Sequence, residues 1–178
     1  MYASKINTHI WKDHKYKKMD TVLKQNNFTL FELEWSNFTL YKNDTDHFTW
    51  NGFKSFANSL ISFINSKSEA ISILILSDST IDYWNWQNNK YTERANNYIK
   101  NLLKINIIID AVSGSGFCAM KNKNKDFVSR LNKIAKSNKK YDLVIIIGGW
   151  NDYEYSIEEI NDSIQQCNKI INNLINHQ

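Results

Sequence analysis

The stretch ISILILSDST at residues 71–80 decides how this chain folds. Its first six residues are a nearly continuous run of β-branched residues and leucine. The run is short and lacks the polar alternation of a half-exposed strand, so it reads as a strand covered on both faces. The polar SDST then marks a turn at the strand's C-terminal end.

Two later segments repeat the pattern. INIIIDAV at 105–112 and LVIII at 143–147 are buried-strand runs, followed by VSGSGFC at 112–118 and GGWNDY at 148–153. Helical stripes lie between them, with Ala95, Tyr98, Ile99, Leu102 and Leu103 within 91–103, then Phe127, Leu131, Ile134 and Ala135. A last helix has Ser156 as N-cap and Glu159 as its box partner, with Ile160, Ile164, Cys167 and Ile171 on its apolar face.

Upstream of residue 71, a strong helix carries Phe53, Phe56, Ala57, Leu60, Ile61 and Ile64 on one broad face. The polar stretch at 41–52, YKNDTDHFTWNG, reads as a loop leading into it. Residues 28–33 alternate as a strand, and 19–23 read as a helix with Tyr16. Strands joined by helical crossovers predict a three-layer α/β/α sandwich with a mostly parallel sheet. The connection at 65–69 is too short to divide domains, so residues 1–178 form one domain.

At 178 residues and 42% hydrophobic composition the chain can bury a core without disulfides or a structural metal. No apolar run approaches the roughly 18 residues that a membrane span needs. The N-terminus is charged throughout, without a signal peptide's apolar middle, so the expected location is the cytoplasm. A net charge of +4 spread over separate lysine clusters falls short of a nucleic-acid footprint. The 25 Asn, 23 Ile and 20 Lys suggest a compositional bias, which lowers the weight of any isolated Asn or Lys.

In a parallel sheet functional groups collect beyond the C-terminal strand ends. Ser79 sits at the first such end, where a hydroxyl can face a substrate and nearby N–H groups can hold an oxyanion. A serine needs a base, and His47 is the best candidate, with Asp44 three residues earlier to fix its tautomer and Asp46 as the competing carboxylate. Asn151 in GGWND can donate its amide to an oxyanion, with Trp150 beside it, and Gly114 and Gly116 present backbone N–H groups. Each has a blander role: Ser79 in turn chemistry, His47 in a solvated loop, Asn151 as a helix cap. The GSG stretch lacks the Lys and Ser/Thr of a phosphate-binding loop. His47, Asp44 and Asp46 have no second ligand cluster, so neither metal nor cofactor is expected.

Together these blocks resemble the SGNH hydrolases, the GDSL esterase and lipase superfamily. SDST at 77–80 is similar to the family's serine block and Gly114 to its second-block glycine. Gly149, Asn151 and Asp152 match Gly-x-Asn-Asp, and Asp44 and His47 match Asp-x-x-His. The resemblance implies a flavodoxin-like fold with Ser79 as nucleophile, His47 as base and Asp44 as its orienting acid. It further implies an oxyanion hole of Ser79, Gly114 and Asn151. The expected reaction is serine-dependent hydrolysis of short acyl or O-acetyl esters, on a small molecule or carbohydrate. Trp84 and Trp150 are pocket candidates, and Tyr83 and Trp86 further stacking aromatics. The alternative is a non-catalytic binding or interaction module with the same fold.

Ser77 stands where the family has glycine, and the Asp-x-x-His block precedes the serine block instead of following it. A circular permutation accounts for that order, with 65–69 joining the family's last helix to its first strand. A fragment of two copies, or a chain completed by a second copy, is the other arrangement. Under permutation one further strand must come from residues 2–10, which read poorly as one.

Overall fold

The computed structural model describes residues 2–7, 21–26, 29–34, 40–41, 44–66, 72–82, 84–85, 90–91, 94–103 and 105–175. The order is β1 (Tyr2–Asn7), β2 (Thr29–Glu34), β3 (Leu40–Tyr41), β4 (Asp44–Phe48), α1 (Trp50–Ser66), β5 (Ser72–Ser77), β6 (Trp84–Asn85) and β7 (Lys90–Tyr91). It continues through α2 (Arg94–Leu102), β8 (Asn106–Ala111), α3 (Phe127–Ala135), β9 (Leu143–Ile147) and α4 (Ile157–Leu174). Residues 21–25 are also helical. Tyr16, Met19, Tyr83, Trp86 and the join at 67–69 lie outside the described residues.

The fold is mixed α/β around an open sheet of order β2-β1-β9-β5-β8, in which every pairing is parallel. Alternation along the strands divides their side chains between two apolar clusters. Leu74, Leu76, Val144 and Ile146 pack with Leu131 of α3 and Ile164, Cys167 and Ile171 of α4. Ile73, Ile75, Ile145 and Ile147 pack with Phe53, Phe56 and Leu60 of α1 and Ile99 of α2. Burying one such side chain contributes about 1.5–3 kcal/mol relative to exposure, and β5 and β9 use both faces this way. Hence a continuous apolar run, not an alternating one, encodes the central strands.

Helix starts follow local chemistry. Ser156 Oγ accepts from Glu159 N at 3.2 Å while Ser156 N donates to Glu159 Oε2 at 2.9 Å, so α4 opens on the expected capping box. Asp126 caps α3 by accepting from Ser129 N at 3.0 Å, and Thr49 Oγ1 accepts from Gly52 N at 3.1 Å at the start of α1.

Three expectations need correction. The segment 2–10 forms β1 over Tyr2–Asn7, paired with β2 on one side and β9 on the other, because main-chain pairing on both edges does not require an apolar run. Residues 44–48, read as part of a loop, form β4 against β3 in an antiparallel ribbon with a register shift at Leu40/Tyr41. Tyr91 pairs with Trp84 in the β6–β7 ribbon and does not begin a helix. The buried positions that set the helical period there, Ala95 and Ile99, fall within α2. Among the described residues no helix is long and apolar enough to cross a membrane.

Candidate active site

β5, β8 and β9 end level, since Ser77 faces Ala111 on one side and Ile147 on the other. The loops at 78–82, 112–119 and 148–152 therefore leave the same sheet edge side by side. β5 is central among them, which puts the Ser79 turn between the two glycine-bearing loops.

The Ser79 turn is fixed at both ends. Asp78 is 2% exposed, and its Oδ1 accepts from Thr80 N at 2.9 Å and Thr80 Oγ1 at 2.8 Å, a side-chain-closed turn. Its carbonyl accepts from Asp82 N at 3.0 Å, and Ile81 is fully buried in the cluster with α1. Ser79 is half-buried at the tip. Among the described residues neither its N–H nor its hydroxyl has a hydrogen-bond partner. Ser77, in extended backbone, tolerates its side chain, although its buried Oγ also lacks a partner among those residues.

The loop after β8 is held from two directions. Asp152, 1% exposed, accepts from Phe117 N, Cys118 N and Ala119 N, each at 2.8 Å. A Cβ on Gly116 would fall 2.5 Å from Asp152 Oδ1, so only glycine lets the loop close on that carboxylate. From the other direction Arg130, 5% exposed, donates to Ser115 Oγ at 2.8 Å and to Ser77 O at 3.0 Å. Gly114 has φ +78°, a conformation suited to glycine, and its N–H has no acceptor among the described residues.

Asn151 connects the three loops. Its Nδ2 donates to Ser115 O at 2.8 Å and to Asp78 Oδ2 at 3.3 Å. Those acceptors adjoin Gly114 and Ser79, so the amide lies between the two turns that carry the candidate backbone donors. Helix capping is not its role, because Ser156 caps α4. Gly148 and Gly149, at φ +150° and +109°, provide the reversal that brings it there. Trp150 beside it is half-buried.

Comparison with protein-family models, curated proteins and solved structures found no match. The chemistry of this edge therefore has to be argued from its own geometry.

Ser79, Gly114 and Asn151 come together on neighbouring loops. The backbone of Asp44, Asp46 and His47 runs through β4 directly before α1, while their side chains lie outside the described ones, as does that of Trp84. Phe48, next to His47, stacks on Phe56 at a ring separation of 5.2 Å and belongs to the apolar cluster that contains Ile81. One core thus anchors both β4 and the Ser79 turn.

Burial raises the Asp82 carboxyl above its ordinary pKa, against opposing pulls from the Ser113 N–H and the Arg130 charge. Burial also pushes the Cys118 thiol up to about 11, leaving it protonated and a poor nucleophile at neutral pH. Sequence reasoning missed Arg130. Its signal was present, since it is one of two arginines beside 20 lysines and interrupts the apolar stripe of α3.

Proposed function

We propose that this chain is a serine-dependent ester hydrolase with a circularly permuted SGNH-like, three-layer α/β/α fold. The observation that carries the reading is the Asn151 amide bridging the Ser79 turn and the Gly114 loop at level strand ends. Topology supports it as well. Numbered from β5 and continued through β8, β9, β1 and β2, the strands lie in the order 2-1-3-4-5, that of flavodoxin-like sheets.

In this reading Ser79 Oγ attacks the ester carbonyl while His47 takes its proton and Asp44 holds the imidazole in the needed tautomer. Negative charge gathers on the former carbonyl oxygen. The N–H groups of Ser79 and Gly114 receive it, together with the Asn151 hydrogen released from its longer bond to Asp78. Collapse expels the alcohol, protonated by His47, and leaves an acyl group on Ser79. Water activated by His47 then attacks that acyl-enzyme by the same route. Short acyl or O-acetyl esters of small molecules or carbohydrates are the expected substrates, with Trp84 and Trp150 lining the pocket.

A non-catalytic module of the same fold is the second reading. The observation that favours it is that both Asn151 amide hydrogens are already engaged. Hydrolysis of p-nitrophenyl acetate by purified protein, with Ser79→Ala alongside, separates the two readings. The hydrolase reading expects turnover that disappears in the variant and a fluorophosphonate adduct on Ser79. Turnover equal in both proteins, or labelling elsewhere, overturns it.

A further inference from the structure

Resting on the hydrolase reading, we propose that Arg130 is a positioning residue that sets the spacing between the two backbone donors of the oxyanion hole. Its guanidinium is buried one turn into α3, between apolar neighbours Phe127 and Leu131. Nη1 donates to Ser77 O at 3.0 Å and to Ser115 Oγ at 2.8 Å. Nη2 donates to Asp110 O and lies 3.1 Å from Asp110 Oδ1, and Nε reaches Asp110 Oδ2 at 3.4 Å. The group also lies 5.7 Å from the centre of the Phe127 ring.

These acceptors have one thing in common. Ser77 O is the last carbonyl of β5, two residues before Ser79, and Ser115 follows Gly114. Asp110 is the penultimate residue of β8, the strand that delivers the Gly114 loop. One rigid planar cation thus spans both segments whose N–H groups must converge on a single oxygen. Packing alone does not call for arginine here, because a buried ion pair is commonly matched in stability by apolar residues of similar volume. Backbone donors cannot be re-aimed by a rotamer change, so their separation depends on whatever ties the two loops together. Asp152 grips residues 117–119, beyond Gly114. Nearer to it, Arg130 shares the connection with Asn151, bonded to Ser115 O and Asp78, and with Asp82, whose Oδ2 accepts from Ser113 N at 2.7 Å. Of the three, Arg130 alone also holds the strand ends from which both loops leave.

Lysine cannot reproduce this arrangement, since a single ammonium lacks the fork that reaches Ser77, Ser115 and Asp110 at once. Arg130→Lys and Arg130→Met in the full chain test the idea, with Ser115→Ala as a milder variant that keeps the guanidinium and removes one acceptor. We expect Arg130→Lys to lower kcat on p-nitrophenyl acetate about 10- to 100-fold with KM changed less than about threefold, the size of effect that a small misplacement produces. Ser115→Ala should lower kcat about three- to tenfold, following the loss of one of the two Nη1 acceptors. Hydrogen exchange at the amides of 112–115 should quicken in Arg130→Lys while the β9 amides keep their protection.

Ser79-dependent turnover that survives unchanged in Arg130→Lys overturns this proposal and leaves the hydrolase reading standing. A fall in Tm with kcat of the folded protein intact marks a structural brace only and also overturns it. Absence of turnover in the unmodified protein overturns the hydrolase reading, and this proposal with it. Should Arg130→Met fail to fold, Arg130→Lys and Ser115→Ala still decide.

Discussion

Around Ser79, Gly114 and Asn151 the chain is held by buried polar groups, whereas the segment carrying Asp44 and His47 is seated on aromatic rings. On the first side Asp78, Asp152 and Arg130 are each no more than 5% exposed and bond to named loop atoms. On the second side Phe48 stacks on Phe56, Trp50 on Phe53 at 5.5 Å, and Trp50 meets the edge of Tyr98 at 5.6 Å. Hydrogen bonds are directional and fix an atom's position, while apolar contact rewards depth of burial with little preference for orientation. An oxyanion hole needs the first kind of support. A base that takes a proton from one oxygen and returns it to another works with the second.

Four experiments would break or sharpen that contrast. The largest effect is expected at Ser79, where replacement by alanine should lower kcat by about 10⁴- to 10⁶-fold, as loss of a nucleophile does elsewhere. Tm should hardly move, because the hydroxyl has no partner among the described residues.

Phe48→Ala comes next and tests the aromatic seat. It should cost about 3–5 kcal/mol in a urea titration, the usual penalty for emptying a buried aromatic site. A much smaller loss would show that β4 is held by something other than its rings.

Asn151→Ala tests the polar side. Turnover should fall about 10²- to 10³-fold with KM much less affected, the range typical of one oxyanion donor. Unfolding without a separable kinetic defect would make the amide a structural tie alone.

The smallest effect concerns Asp82, whose folded pKa is raised by burial. Its ionised form therefore costs stability, a cost that is full above the raised value, shrinks as pH falls below it and is gone once the unfolded carboxyl is protonated as well. Asp82→Asn should raise Tm by at most a few degrees at pH 7 and give no gain below about pH 3.9, where the unfolded chain is protonated too. A gain that persists in acid would refute the titration account.

The parts of this molecule legible in its sequence are those whose physics is local. LVIII forms β9 over its predicted span, ISILIL is shifted by one residue, and Ser156 with Glu159 caps α4 as read. Strands covered on both faces and capping boxes leave marks that neighbouring residues carry. β1 left none, because its place between β2 and β9 depends on main-chain pairing with segments far away in the chain. β4 falls in a stretch that reads as a loop, since a short ribbon of polar residues has no apolar period to detect. For the candidate site, Ser79, Gly114 and Asn151 were legible because glycine and polar residues interrupt apolar runs at strand ends. Arg130 left only the mark of an arginine within an apolar stripe, because its meaning lies in acceptors on Ser77, Ser115 and Asp110 that only folding assembles.

The pairing of β1 bears on how the protein is made. Tyr2 leaves the ribosome before the other strands of this sheet, yet its ladder partner Ile145 is among the last of the sheet to be synthesised. The block of β5, β8 and β9 can assemble as soon as residue 147 emerges, while β1 has to wait and then dock between β9 and β2. Until it does, the LVIII strand offers a bare, apolar, uncharged edge, the kind that recruits other chains. Docking of β1 should be the slow phase of folding, and chaperone demand and yield should depend on how quickly that one edge is closed.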